Sequence, residues 1–216
     1  MIKKNSINIL KNLRPKEFIK KYWGKKHLFL ENVFSPKKGS ISKKDIRKLI
    51  KNPDIYSKVI ISKNNSNETI YGPFNIWPQD KKQTLLIHNF NLIQEFSYNL
   101  INSIKFIPYC LHDDVMVSFS SKDGGVGAHI DSYDVFLVQA QGEKQWKIGK
   151  TDKISFKESK NQHTNIKFIA TNTIISKAGD ILYIPAFTPH HGISLCDECI
   201  TYSIGFRSPR SNEIQS

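Results

Sequence analysis

Only 3 cysteines occur in the 216 residues, Cys110, Cys196 and Cys199. That is too few for a disulfide framework and suits a reducing compartment. Cys196 and Cys199 form a CxxC, but no second cysteine pair accompanies it, which argues against zinc. The pair reads as a loop between two strands that carries two thiols. No run approaches the roughly 18 uninterrupted apolar residues of a membrane span. Met1 to Ser6 also lacks the longer apolar core of a secretory signal. The expectation is a cytoplasmic protein with no membrane partner. The chain has no repeat of about 20 to 50 residues and no low-complexity linker, which excludes solenoids and offers no clear domain cut.

What is present fits a folded chain. A hydrophobic share of 39% with 13 phenylalanines argues against disorder, and the length suits one domain or one domain with a small appendage. The formal net charge is +13 and runs from Lys3 to Arg210 without an arginine-rich block. It fits an anionic partner such as a ribosomal RNA surface. It fits equally a compositional bias, because lysine, asparagine and isoleucine are abundant together.

The first half shows helical patterning. Pro15 stands at a helix start, Phe18, Ile19, Tyr22 and Trp23 group on one side, and Gly24 follows as a stop. Leu28 to Leu30 reads as a short strand. Ser42 to Asp45 resembles a capping box ahead of Ile46, Leu49 and Ile50, and a further helix is expected over Asn91 to Ile104. The second half changes period. Short β-rich runs at 115–120, 135–139, 145–148, 167–170, 181–184 and 200–206, separated by glycines and polar turns, predict an antiparallel sandwich or barrel. The expected organisation is an α-rich lead-in over 1–105, a β core over 106–209 and a tail over 210–216.

One stretch carries chemistry. After the glycine-rich approach Gly124 to Gly127, His129 and Asp131 stand two residues apart, ahead of an apolar run. Side chains at i and i+2 of an extended chain share a face, so the imidazole and the carboxylate can converge. They make two thirds of the two-histidine, one-carboxylate set that holds non-heme Fe(II) with positions left open. A third ligand is available in Pro189-His190-His191-Gly192, at the exit of the run Ile181 to Pro185. His190 is the first candidate and His191 its neighbour; adjacent residues point to opposite faces, so only one can serve. His27, His88, His112 and His163 have no partner at ligand spacing and are expected to be packed or exposed.

The run His129 to Ile148 resembles the core of the bacterial ribosomal oxygenases, members of the JmjC and cupin-like group of 2-oxoglutarate-dependent dioxygenases. Met116 to Ser120, Gly179 to Pro185, Pro189-His190 with Gly192, and Tyr202 to Arg207 match as well. The resemblance is specific over Asp114 to Pro209 and weaker before it, as at Tyr71-Gly72-Pro73-Phe74.

The resemblance implies a mainly β double-stranded β-helix, with His129, Asp131 and His190 binding iron. It places the distal carboxylate of 2-oxoglutarate on Lys144, the basic residue just after Gly142 and Glu143, with Ser120 as a hydroxyl partner. Bacterial members usually carry arginine there. Lysine binds a carboxylate as a point charge and lacks arginine's fork. Dioxygen is the second cosubstrate. Tyr133 and Asp134 are candidates for the substrate side, or for hydrogen bonding within the barrel. The implied substrate is an arginine of large-subunit ribosomal protein number sixteen. Departures from the family are His191, where an acidic residue is common, and the helical dimerisation and winged-helix-like parts that relatives carry beyond the point matching Ser216, so oligomeric state stays open. Other readings are a hydroxylase of another protein or RNA, and a ribosome-associated binding protein without turnover.

Overall fold

The computed structural model describes residues 7–35, 41–63, 67–76, 81–150 and 166–207. The tail over 210–216 and His163 lie outside them. Two antiparallel sheets face one another. The larger has eight strands, β1 (Leu28–Leu30), β2 (Ser57–Ser62), β3 (Asn67–Tyr71), β4 (Gln83–Ile87), β5 (His112–Ser120), β6 (Asp134–Gln141), β9 (Ile181–Ile184) and β11 (Cys199–Phe206). Their spatial order is β1-β9-β6-β11-β5-β4-β2-β3. The smaller has the order β10-β7-β8, made of β7 (Glu143–Gly149), β8 (Ala170–Lys177) and β10 (His190–Ser194).

Alternation along β6 separates two cores. Val135 and Leu137 turn toward the small sheet and pack with Trp146, Ile148, Leu182 and Ile184. Phe136 and Val138 turn outward and join Phe18, Ile46, Ile50, Tyr183, Tyr202 and Phe206 beneath the helices. A strand buried on both faces reads as a near-continuous apolar run, as Val135 to Val138 does.

The helices are α1 (Pro15–Lys21), α2 (Lys43–Leu49) and α3 (Glu95–Asn102). In α1, Phe18 is fully buried, but Ile19 is 40% exposed and Tyr22 and Trp23 lie past the helix end, so the expected apolar side is narrower. In α2 the Ser42 hydroxyl accepts from the Asp45 N–H at 3.1 Å, and Ile46 and Ile50 are buried. The helix expected over 91–104 is interrupted. A 3-10 turn at Phe90–Leu92 precedes α3, because Gln94 is extended, and the Ser97 hydroxyl bonds the Phe90 carbonyl at 2.7 Å. Leu92, expected on the apolar stripe, is consequently 81% exposed.

Five of the six β-rich runs lie within β5, β6, β7, β9 and β11, and β1 falls on Leu28–Leu30. The run at 167–170 is displaced: β8 starts at Ala170, where it pairs with Gly149 across an irregularity in register. The lead-in also holds β2, β3 and β4, which extend the large sheet from the edge of β5. The CxxC spans the turn from β10 to β11, with Cys199 buried at the head of β11. Among the described residues no helix is long and apolar enough to cross a membrane.

Candidate metal centre

His129 and His190 stand on backbone segments that pair as an isolated antiparallel bridge. Each N–H donates to the other's carbonyl, at 3.0 and 2.9 Å. That pairing brings the rings to 4.2 Å between centroids. Asp131 completes the group, its Oδ2 3.7 Å from His129 Nε2 and 3.6 Å from His190 Nε2. The three ligand atoms lie within 4.8 Å of one another, and this is the one such cluster of metal-ligating side chains among the described residues.

The other ring nitrogens are also fixed. His129 Nδ1 lies 3.0 Å from the Gly127 carbonyl and His190 Nδ1 2.9 Å from the Thr188 carbonyl. A carbonyl holds the proton on Nδ1 and leaves the Nε2 lone pair free to ligate. Burial and then the neighbouring His129 push the His190 imidazole down to about 4. Burial opposes protonation of His129 too, but the hydrogen bond and charge of Asp131 outweigh it, so its pKa is raised. The strand alternation separates the two candidate histidines: His190 is 2% exposed and faces inward, while His191 is half-buried across from Lys147.

On β7, Lys144, Trp146 and Ile148 share the inward face, opposite Ser194, Gly192 and His190 of β10. Lys144 is 4% exposed, and burial lowers its pKa. Its Nζ donates to Ser118 Oγ at 3.3 Å and lies 5.5 Å from the Trp146 ring centroid. Among the described residues no carboxylate pairs with it, whereas a buried cation ordinarily has an anionic partner. Trp146, whose ring centroid is 6.1 Å from that of His190, has a buried indole N–H with no hydrogen-bond partner among the described residues. Gly192 makes room for that ring, since a Cβ there would stand 2.5 to 2.9 Å from its carbons.

Donor set and surroundings thus fit Fe(II) and 2-oxoglutarate. Two imidazoles and a carboxylate on one side suit ferrous iron. An unpaired buried ammonium beside a free N–H suits a carboxylate anion. Ser120 is not the hydroxyl nearest the lysine: its Oγ pairs with Thr84 Oγ1 at 2.9 Å, and Ser118 receives the lysine. Sequence reasoning passed over Ser118 and Trp146, though each lies two residues from a named candidate and so on the same strand face.

Tyr133 and Asp134 part company. Tyr133 is half-buried against the inner core; burial and then the carboxylates of Asp131, Asp114 and Asp113 raise its pKa. Asp134 turns away from the inner core. It is 5% exposed on the outer face of β6, accepting from the Tyr183 hydroxyl and from the Gly24 N–H at 3.2 Å. This is the hydrogen bonding within the barrel that was its alternative role: strand alternation turns its carboxylate toward the lead-in.

Residues 99–214 match the JmjC domain family. The chain is similar to a probable ribosomal oxygenase of Haemophilus influenzae, 32% identical over 210 residues, which are 94% of this chain and 52% of that one. It is similar as well to the ribosomal protein uL16 3-hydroxylase of Escherichia coli, 30% identical over 205 residues, covering 93% and 54%. Among solved structures, Escherichia coli YcfD superposes with a TM-score of 0.84 at 28% identity, over 94% of this chain and 55% of that one. YcfD, a ribosomal oxygenase, in complex with cobalt and 2-oxoglutarate superposes at 0.80, with the same identity, over 94% and 54%. The chain spans about half the length of the curated relatives it matches. With the match running through the metal-ligand cluster and both sheets of the core, this chain belongs to the JmjC domain family.

Proposed function

We propose that the protein is an Fe(II)- and 2-oxoglutarate-dependent oxygenase that hydroxylates a side chain of a large-subunit ribosomal protein, with an arginine of uL16 as the first target. The observation that carries this reading is the pairing of the His129, Asp131 and His190 cluster with an unpaired buried Lys144 on the neighbouring inward face. The likeness to a uL16 3-hydroxylase supports the choice of substrate.

Bound iron and 2-oxoglutarate supply the oxidising power that converts a C–H bond and dioxygen into an alcohol. The chain's own residues do the positioning. Nδ1 contacts to Gly127 and Thr188 aim both imidazoles. Lys144, steadied by Ser118, holds the distal carboxylate, and the Trp146 N–H offers a further donor. Val135, Leu137, Leu182 and Ile184 form an apolar wall that excludes water and strengthens these charge contacts. Tyr133, kept neutral, stands among the carboxylates of Asp131, Asp114 and Asp113, an acidic setting that suits a cationic target side chain.

The test is mass spectrometry of large-subunit ribosomal proteins from cells with and without this protein, expecting loss of one hydroxyl from uL16. An unchanged pattern rules out the ribosomal substrate. In parallel, His129→Ala is expected to abolish saturable binding of Co(II) in titration calorimetry and all turnover; turnover by that variant rules out the ligand assignment.

A further inference from the structure

The net charge of +13 is not spread evenly along the chain. Residues 1–60 hold 17 of the 32 Lys and Arg but only 4 of the 19 Asp and Glu, while the other 156 residues hold 15 of each sign. The whole excess therefore sits in residues 1–60, and the rest is neutral. A compositional bias toward lysine would charge both parts, so bias alone does not account for it.

Among the described residues, the fold turns four of these lysines to one side. Phe18 of α1 and Ile46 of α2 are buried in the same core, on the outer face of the large sheet. Lys16 and Lys20 lie two residues either side of Phe18, and Lys44 and Lys48 two residues either side of Ile46. At 100° per residue, all four point away from the sheet, and the row is exposed. Each pair is also an i,i+4 pair of like charge, which is mutually repulsive and gives the helix nothing. Nearby acids do little to offset them. Glu17 pairs with Lys21 at 2.6 Å, and Asp45 is bound to its own cap through Ser42.

We infer that the exposed faces of α1 and α2 form a docking surface for the phosphate backbone of double-stranded RNA. A membrane fits less well, because a helix lying in a bilayer surface must expose a broad apolar face, whereas Phe18 and Ile46 are buried and Ile19 is the one large apolar side chain these two helices expose. A platform for single strands would need open aromatic rings. Tyr22 is instead covered by Lys26 at 5.0 Å, and Trp23 stacks on Tyr183 at 5.9 Å. Lysines in the majority, with Arg14 and Arg47 at their flanks and no open ring to stack a base, suit sequence-independent backbone contact. The choice of RNA among polyanions rests on the ribosomal reading above. On that reading the surface would hold the enzyme to the large subunit while the opposed sheets present the metal centre.

The test compares the full chain with a variant carrying Lys16→Gln, Lys20→Gln, Lys44→Gln and Lys48→Gln, and with a control carrying Lys82→Gln, Lys105→Gln, Lys122→Gln and Lys177→Gln. Fluorescence anisotropy with a labelled double-stranded RNA of arbitrary sequence is read across salt concentration. The lead-in variant is expected to bind at least tenfold more weakly, with the slope of log affinity against log salt reduced by about 3; the control keeps wild-type values. Equal binding by wild type and lead-in variant overturns the inference, as does binding to anionic lipid vesicles in place of RNA. Hydroxylation of isolated uL16 is measured on the same proteins. Its absence from the wild type would count against the proposed substrate alone, since the RNA titration is read without turnover.

Discussion

Lys144 stands in the barrel as a cation with no counter-ion among the described residues, held by one hydroxyl and the face of an indole. That arrangement costs stability in the absence of an anion, since burial disfavours the charged form. Replacing Lys144 with methionine, similar in length and uncharged, is expected to stabilise the ligand-free protein by about 1–3 kcal/mol, read as a higher melting temperature. The same change removes a charge-assisted contact worth about 2–3 kcal/mol, so the KM for 2-oxoglutarate should rise roughly 30- to 150-fold. A melting temperature that falls would mean that the lysine is paired in the free protein. Asp134 should behave in the opposite way. Asp134→Ala strands the Tyr183 hydroxyl and the Gly24 N–H, and is expected to lower stability in urea by about 2–3 kcal/mol with the KM for 2-oxoglutarate unchanged. The i, i+2 rule made His129 and Asp131 legible as a pair before any fold was known. The same rule would have placed Asp134 on the face opposite Val135, but which face was the inner one depended on pairing that a single strand does not declare.

At the scale of elements, β7 and β10 act as one unit, and Gly192 is its contact point. Its missing side chain lets the Trp146 ring lie flat over β10, two residues from His190. Gly192→Val would force the ring away. It should cost about 1–3 kcal/mol of stability by overpacking and also weaken metal binding, because the strand that moves carries His190. Calorimetry with Co(II) on the folded variant checks the second effect; undiminished affinity would show that Trp146 yields without moving β10. The β elements that were readable from sequence are β1, β5, β6, β7, β9 and β11, each marked by apolar or aromatic residues. Strands β3 and β10 escaped for different reasons. The first, Asn-Glu-Thr-Ile-Tyr, is an exposed edge with no apolar alternation. The second, His-His-Gly-Ile-Ser, spends its inward positions on a ligand, a glycine and a serine. Functional residues displaced the pattern by which a strand is recognised. The helix expected over 91–104 failed at Gln94, whose extended backbone is a tertiary outcome that periodicity does not show.

For the whole molecule, the two sheets share little besides the inner core and the metal ligands. A ligand that binds the folded state alone stabilises it by mass action, about 2.7 kcal/mol at a hundredfold excess over Kd. Co(II) with 2-oxoglutarate is therefore expected to raise the melting temperature by about 5–11 °C for a chain of this size, reversed by a chelator. No shift with either ligand would leave a barrel that binds neither.

The hydrogen bonds exchanged between the backbones of His129 and His190 tie the segment ahead of β6 to the head of β10, as those of Asp123 and Gly124 with Ser194 tie it to the strand's other end. An ion gripped by both imidazoles would act there as a rivet, so that parting the segment from β10 and losing the ion become a single event. Amide exchange at those two residues would then report occupancy. Slow exchange would mark loaded molecules, and the rate at which the barrel breathes would set the rate at which metal leaves.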